Sequence, residues 1–248
     1  MKVAILESLG ISDEELRSLE KPFEEKGVEF AHYTKSLDEN VLLSELDGAD
    51  VAVIANMPFP SSVVSKANGL KFIDVAFTGT DHVGLDAARE RGIAVSNASG
   101  YSNEAVSELV LGMVLSFMRN ISKVEERCRE GKDKTGLVGS EVKGKTVGIV
   151  GLGKIKKSAI LVNVARGPVV DEKALFEALE NGEIAGALVD VFDKEPPLAL
   201  DTPLLSAPNT LLTPHVAFAT KESMSLRAEI VFENLRAWME GQQINVIC

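Results

Sequence analysis

The stretch Lys143-Gly-Lys-Thr-Val-Gly-Ile-Val-Gly-Leu-Gly-Lys-Ile155 decides how the second half of this chain folds. The apolar run 146–150 predicts a buried strand, and Gly151 and Gly153 follow it directly. The first glycine allows a tight turn, and the second lets a pyrophosphate approach backbone N–H groups at a helix N-terminus. A Gly-x-Gly pair alone is equally typical of a plain strand-to-loop turn. The stretch therefore predicts a dinucleotide-binding turn only if its neighbours support it.

The sequence after this turn does not continue the expected pattern. The third glycine of the motif is expected at position 156, where Lys156 stands, and the next strand, 159–164, begins without room for a helix. A dinucleotide-binding half needs that helix, then a strand ending in an acidic residue about 20 positions past the glycines. On the order of 75 to 80 residues, about two and a half βα units, are absent between Ile155 and Lys156. Either this sequence omits residues of the natural chain, or the protein carries an internal deletion. We favour the omission because both flanks are well formed.

The first hundred residues alternate between short apolar runs and amphipathic stretches. This alternation predicts βα units with a parallel sheet and helices on both faces. Ser12 is placed to open the first helix. The predicted strands are 3–6, 28–33, 51–54, 72–75 and 93–95, and the predicted helices are 13–26, 39–46, 61–66 and 85–91.

The rest of the chain predicts a second α/β unit. It begins with a long helix over 103–118, whose apolar residues recur at helical spacing and predict that it is well buried. The fold class expected for the whole chain is therefore α/β, with two doubly wound parallel-sheet domains, the first flavodoxin-like and the second a Rossmann nucleotide-binding domain. The further predicted strands are 159–164, 187–191 and 211–212, and the further predicted helices are 121–130, 172–181 and 222–240.

Composition excludes several classes of function. The 248 residues carry a net charge of −11 and are 45% hydrophobic, which is typical of a soluble globular protein. The acidic balance and the absence of a basic run exclude a nucleic-acid partner. The longest apolar run, 109–118, is far shorter than the roughly 20 residues of a membrane span, so we expect no membrane association. Two cysteines without metal spacing, and no signal peptide, predict a cytoplasmic protein without a metal site.

Three strand ends in the second half carry residues suited to one reaction. Arg166 follows the strand 159–164, Glu195 follows 187–191, and His215 follows 211–212. In an open parallel sheet, ligands bind beyond the carboxyl ends of the strands. Arginine can bind a carboxylate or carbonyl oxygen, histidine can exchange a proton with a carbonyl, and glutamate can orient and charge the imidazole. Each residue alone could be structural: a surface ion pair, a loop acid and a satisfied histidine.

Five stretches together resemble the NAD(P)-dependent D-2-hydroxyacid dehydrogenase family, which includes D-lactate, glycerate, hydroxypyruvate and D-3-phosphoglycerate dehydrogenases. The resemblance covers nearly the whole chain apart from the missing middle, and no single stretch is specific. The five stretches are Thr78 to Asp86, Gly144 to Ile155, Leu161 to Asp171, Asp190 to Pro196 and Thr213 to Ala217.

The resemblance implies a role for each candidate residue. Arg166 would bind substrate, and Glu195 would pair with the catalytic His215. Asp190 would contact the nicotinamide carboxamide, and backbone amides at Thr78 and Gly79 would hold the substrate carboxylate. The residues implied in binding NAD are Val106, Gly151, Gly153, Lys154, Ile155, Ala165, Arg166, Asp190 and His215.

The resemblance also implies the domain organisation and the partners. The substrate domain would comprise 1–98 and 219–248, and the nucleotide-binding domain 99–218. A homodimer would form through about 102–141, and the substrate would be a small 2-hydroxy or 2-oxo acid.

Some alternatives stay open at this point. A non-catalytic relative that senses nucleotide and binds a partner protein could use the same fold. Formate dehydrogenase shares the fold, but its branch carries an amide where Glu195 stands. The choice between NAD and NADP depends on an acidic residue in the absent stretch, so NAD is the default. The sequence does not identify the 2-hydroxy acid.

Overall fold

The computed structural model describes residues 1–145, 158–195 and 199–248, and the chain divides into two compact units. The first unit comprises Met1–Ser102 and Ala219–Cys248, and the second comprises Asn103–Phe218. The predicted strand 146–150 and the glycines that follow it lie outside the described residues.

The first unit is built on a five-stranded parallel sheet in the order β2-β1-β3-β4-β5. This 2-1-3-4-5 order is that of flavodoxin-like folds, in which the strand order reverses beside β1. The central strands β3 and β4 are buried along their whole length, as expected for a sheet covered on both faces. The strands are β1 (Lys2–Ile5), β2 (Glu29–His32), β3 (Val51–Ile54), β4 (Phe72–Val75) and β5 (Ala94–Asn97).

Helices cover the first sheet, and several begin at side-chain caps. Ser12 accepts a hydrogen bond from the Glu15 backbone N–H and starts the first helix, as predicted. Thr220 and Ser223 form a reciprocal capping box at the start of the last helix. The helices of this unit are α1 (Asp13–Glu24), α2 (Glu39–Glu45), α3 (Ser61–Lys66), α4 (Leu85–Arg91) and, numbered last in the chain, α8 (Lys221–Met239).

The C-terminal helix α8 packs into the core of the first unit. Its residues Val231, Phe232 and Leu235 belong to the same buried cluster as Val3 and Phe72 of the sheet. Burying such apolar side chains contributes about 1.5 to 3 kcal/mol each, so α8 stabilises the unit substantially.

The segment after α8 extends the first sheet at β5. The Val95 N–H donates to the Cys248 carbonyl at 2.6 Å, and the Ile247 N–H donates back to the Val95 carbonyl at 2.8 Å. Ser96 and Val246 form an antiparallel bridge between these bonds. The C-terminal segment therefore covers backbone groups that β5 would otherwise expose at a sheet edge.

The second unit contains a three-stranded parallel sheet in the order β6-β7-β8 within the described residues. Phe117 of α5 lies against Gly186 of β7, where a Cβ atom would be only 2.1 Å from its ring. The elements of this unit are α5 (Asn103–Met118), α6 (Ile121–Arg129), β6 (Ile160–Asn163), a 3-10 turn (Gly167–Val169), α7 (Glu172–Glu180), β7 (Gly186–Val189), a second 3-10 turn (Pro203–Ser206) and β8 (Thr210–Leu212).

The helix α5 differs from its prediction as a well-buried helix. Of its residues only Ala105 and Met113 are buried, whereas Leu111 is 64% and Leu115 54% exposed. Its apolar residues occupy more than one face of the helix, and the residues that the structure describes cover only some of them. No single helix among the described residues could span a membrane by length and hydropathy; α5 and α6, bent by 61°, meet that criterion only as a pair.

The α/β fold prediction is confirmed by the two parallel sheets with helices. All strands and helices predicted within the described residues are present, with ends that differ by at most two residues.

Candidate active site

The first candidate residue, Arg166, stands in a turn that Asn163 folds. The Asn163 side chain accepts a hydrogen bond from the Ala165 N–H at 3.2 Å and donates to the Arg166 carbonyl at 3.0 Å. Asparagine side chains commonly hydrogen-bond the backbone two or three residues on and so mimic a backbone turn. Arg166 is half-buried at this point, three residues beyond the end of β6.

Gly167 brings the loop of Arg166 against the loop of Glu195. A Cβ atom at Gly167 would lie 2.1 Å from the carbonyl carbon and oxygen of Phe192 and 2.5 Å from the Asp193 nitrogen. Real Cβ atoms do not approach backbone atoms this closely, so only glycine fits here. The contact joins the loops that follow β6 and β7.

Glu172 holds the loop that carries Glu195 from the other side. One oxygen of its carboxylate accepts from the Asp193 N–H at 2.7 Å, and the other accepts from the Thr202 hydroxyl. These two partners flank Glu195 along the chain. Burial, followed by the nearby charge of Glu172, raises the pKa of Asp193. Sequence reasoning gave Glu172 no role, because an acid in the first turn of a helix is ordinary.

Asp190, directly after β7, organises the segment 213–217, here called the His215 segment. Its carboxylate is fully buried and accepts from the Thr213 hydroxyl, from the Val216 N–H at 3.0 Å and from the Ala217 N–H at 2.9 Å. The Asp190 carbonyl also accepts from the His215 N–H at 2.7 Å. All these bonds go to the His215 segment, so Asp190 determines its conformation.

His215 is held in a conformation that non-glycine residues rarely adopt. Its φ is +54°, in the left-handed region, and the bonds from Asp190 maintain it. Backbone strain of this kind clusters at functional sites, where the surrounding structure enforces it. The ring also meets Phe218 edge-on, with 5.6 Å between centroids.

His215 and Glu195 form the central contact of the site. Nδ1 of His215 lies 2.7 Å from Oε1 of Glu195, and the two side chains are 21% and 14% exposed. A short contact between half-buried partners orients the imidazole, with Nδ1 toward Glu195 and Nε2 on the far side of the ring. The arrangement can therefore do acid–base chemistry.

The remaining candidate residues lie elsewhere in the chain. Thr78 and Gly79 stand in the loop after β4 of the first unit, with Thr78 exposed and Gly79 half-buried. Val106 is half-buried in the first turn of α5. The predicted cofactor residues that lie outside the described residues are Gly151, Gly153, Lys154 and Ile155.

Comparison with known proteins identifies relatives over the whole chain. Residues 3–247 match the family "D-isomer specific 2-hydroxyacid dehydrogenase, catalytic domain". The chain is 31% identical to a D-3-phosphoglycerate dehydrogenase of Methanocaldococcus jannaschii, over 83% of this chain and 53% of that protein. It is 30% identical to a glycerate dehydrogenase of Methylorubrum extorquens, over 88% of this chain and 92% of that protein. The chain thus spans about half the length of the first relative.

The structure also resembles a solved structure over its whole length. The TT0316 protein of Thermus thermophilus superposes with a TM-score of 0.84 at 27% identity, with all of both chains covered.

One alignment also gives the number of positions of a relative that this chain lacks. The alignment with the Methylorubrum protein has 291 positions but includes only 88% of the 248 residues, about 218, so about 73 positions of that protein face no residue of this chain. This agrees with the sequence expectation of on the order of 75 to 80 absent residues, about two and a half βα units. From the family match over residues 3–247 and the relatives at 30% identity or more, we conclude that the chain belongs to the D-isomer specific 2-hydroxyacid dehydrogenase family.

Proposed function

We propose that this protein interconverts a D-2-hydroxy acid and the corresponding 2-oxo acid by nicotinamide-linked oxidation and reduction. The observation that carries the proposal is the 2.7 Å contact between His215 Nδ1 and Glu195 Oε1, in a segment that the buried Asp190 holds. Family membership supports it, as does the position of these residues beyond the carboxyl ends of parallel strands.

His215 is the proposed acid and base. In the reduction, its Nε2 donates a proton to the carbonyl oxygen of the 2-oxo acid, and in the oxidation it accepts the hydroxyl proton. The Glu195 carboxylate accepts a hydrogen bond from Nδ1 and stabilises the imidazolium form, because an adjacent negative charge favours it. The contact between Glu195 and His215 therefore serves two purposes: it orients the imidazole ring and it stabilises the protonated ring.

Arg166, Thr78 and Gly79 are the proposed substrate-binding residues. Arg166 binds substrate through the donor fork of its guanidinium, which matches the geometry of a carboxylate or carbonyl oxygen. The amides of Thr78 and Gly79 hold the carboxylate. A small 2-oxo acid, rather than a particular member of the class, is therefore the proposed substrate.

NAD is the proposed cofactor, with NADP as the alternative, and its nicotinamide ring supplies or accepts the hydride when bound. The donor set of the second unit fits the nicotinamide end, because the carboxyl ends of β6, β7 and β8 carry Ala165, Arg166, Asp190 and His215 at one sheet edge. Val106 and the predicted pyrophosphate turn, Gly151 to Ile155, would complete the contacts. Among the relatives, a formate dehydrogenase of Staphylococcus aureus at 22% identity was solved with NAD.

A non-catalytic relative is the second candidate, and a true deletion of the missing stretch would favour it. The acidic residue expected to bind the adenosine ribose lies in the roughly 20 positions after the glycines, and about 73 aligned positions are absent from this chain. A protein with this deletion would keep the His215–Glu195 pair without a whole nucleotide site. The intact mass of the protein from its native source distinguishes the two: 26.6 kDa means a deletion, and about 8 kDa more, the mass of two to three βα units, means an omitted stretch.

A homodimer is the proposed assembly. Leu111 and Leu115 of α5 and Ile121 of α6 are all more than half exposed. They fall within the range, about 102–141, where the family resemblance implies dimer contacts. Clustered apolar exposure of this kind marks interaction surfaces.

A paired substitution tests the reaction. His215→Ala should lower kcat for NADH-dependent reduction of a panel of 2-oxo acids by about 10² to 10⁴-fold, the usual contribution of general acid–base catalysis. His32→Ala is the matched control, because it also removes an imidazole within 2.9 Å of a glutamate, Glu20, but at no proposed site. Full activity in His215→Ala would refute the assignment.

A further inference from the structure

Two successive carbonyls after β4 accept hydrogen bonds from residues at the C-terminal end of β5. The Phe77 carbonyl accepts from the Ala98 N–H at 3.2 Å, and the Thr78 carbonyl accepts from the Asn97 side-chain amide at 2.7 Å. Residues 75–80, here called the Thr78 loop, are thus fixed at two neighbouring peptide units.

The fixed carbonyls determine where the next amides point. In a trans peptide unit the C=O and the following N–H point in opposite directions. The amides of Thr78 and Gly79 therefore both point away from β5. In the part of the chain that the structure describes, neither amide has a hydrogen-bond acceptor. Two adjacent, parallel N–H donors without a protein acceptor form a binding site for an anionic oxygen pair.

Asn97 is itself held rigidly. It is buried, its backbone N–H donates to the Asn245 carbonyl at 3.1 Å, and its carbonyl accepts from the Asn234 side chain at 3.0 Å. These bonds fix the backbone of Asn97 at the end of β5. Its side chain can then approach the Thr78 carbonyl from one direction only.

The amide behind Asn97 has no alternative orientation. Asn234 is fully buried, and its NH₂ group donates to Asp74 as well as to Asn97, while its oxygen accepts from Asn245 at 2.8 Å. A flip of this amide would place its oxygen against the Asn97 carbonyl and its NH₂ against the Asn245 amide donor. These contacts therefore fix the orientation of Asn234, and they lead through Asn97 to the Thr78 loop.

We propose that Asn97 is a positioning residue that aims the Gly79 amide, beside the Thr78 amide, at the substrate carboxylate. The inference rests on the proposed function, since it takes a 2-oxo acid as the ligand of the Thr78 loop. Asn97 acts through the peptide unit between Thr78 and Gly79 and does not itself touch the substrate.

Removing the Asn97 side chain tests the proposal. Asn97→Ala should raise KM for the 2-oxo acid by about tenfold, the equivalent of one hydrogen bond of about 1.4 kcal/mol, and leave KM for NADH unchanged. Pyruvamide, which lacks the carboxylate, should be reduced by both proteins with equal kcat/KM. A merely structural role would lower kcat/KM for pyruvate and pyruvamide alike, and that result would overturn the proposal. If Asn97→Ala does not fold, Asn97→Ser replaces it.

Gln243→Ala is the matched control. Gln243 also joins β5 to the C-terminal segment by side-chain amide hydrogen bonds, to the Val95 carbonyl and the Ser96 hydroxyl, but among the described residues it has no hydrogen bond to Asn97 or the Thr78 loop. It should leave KM for the 2-oxo acid unchanged while lowering stability.

A binding measurement separates this proposal from the proposed reaction. Titration of the full chain with oxamate should shift the Thr78 and Gly79 amide signals in ¹⁵N NMR spectra, with a Kd about tenfold higher in Asn97→Ala. Such shifts without any turnover would refute the reaction and support carboxylate binding aimed by Asn97. Equal Kd values in the two proteins, or no shift in the wild type, would overturn the role of Asn97 whatever the activity.

Discussion

Replacing Asp190 by asparagine tests whether this carboxylate positions His215, the proposed acid and base. The substitution keeps the size and shape of the side chain, so no cavity forms and packing is unchanged. The charge and the hydrogen-bonding capacity differ, because a neutral amide with an NH₂ group replaces a carboxylate with two acceptor oxygens. Any effect therefore comes from the polar contacts of Asp190 with the His215 segment and not from packing.

The expected magnitude follows from the geometry. The amide that Asp190→Asn introduces has two possible orientations, and the better one keeps its oxygen where the Thr213 hydroxyl and the Val216 N–H donate. Its NH₂ group then faces the N–H of the buried Ala217, which loses its acceptor. One hydrogen bond is lost and a buried donor is left unsatisfied, which costs about 1 to 3 kcal/mol. The loss frees the residues next to His215, and a displacement of about 1 Å at a catalytic group can lower the rate about 100-fold.

The assay combines urea unfolding, kcat at saturating NADH and direct NADH binding by fluorescence. Asp190→Asn should lower stability by about 1 to 3 kcal/mol and kcat by about 10 to 100-fold. Asp171→Asn is the control, because Asp171 caps α7 and asparagine caps helices equally well. A variant that binds NADH more weakly, but retains wild-type stability and kcat, would show that Asp190 contacts the nicotinamide without positioning His215.

The remaining predictions concern backbone contact and pH. Gly167→Ala should lower stability by about 1 to 3 kcal/mol and reduce kcat, because its Cβ would overlap the Phe192 backbone. Gly112→Ala, in open space on α5, should instead stabilise the protein by about 0.5 to 1 kcal/mol. Thermal unfolding of both variants checks this, and a Gly167→Ala variant with wild-type stability would contradict the close contact. Burial raises the pKa of Asp74 well above 3.8, so folded Asp74 keeps a proton that the unfolded chain releases, and the contribution of Asp74 to wild-type stability should fall as pH rises from about 4 through the folded pKa. Asp74→Asn should remove this fall, and parallel stability curves of the two proteins between pH 4 and 8 would refute the reasoning.

The order of secondary-structure elements could be predicted because the apolar runs are short and clearly bounded. Val51 to Ile54 and Phe72 to Val75 are uninterrupted apolar or buried stretches between polar turns, and the predicted bounds match the structure. The pairing of the C-terminal segment with β5 could not be predicted, because Asn245 to Cys248 is too short to show a strand period.

The candidate site was predictable where residue type carries the chemistry. His215, Glu195 and Arg166 stand after predicted strands, and the structure brings His215 and Glu195 together. Glu172 and Asn97 were missed because their contribution lies in contacts to backbone groups distant in sequence. Sequence spacing contains no signal for such contacts.

The discontinuity of the first unit has a consequence for how the protein folds during synthesis. Its sheet is translated by Ser102, but α8, which covers that sheet with Val231, Phe232 and Leu235, begins only at Lys221. At about 5 to 20 residues per second, the 116 residues from Asn103 to Phe218 alone take about 6 to 23 seconds to synthesise, and an omitted stretch would lengthen this interval. During that interval the part of the sheet face that α8 later covers is exposed beside α1, and holding chaperones can bind such a surface.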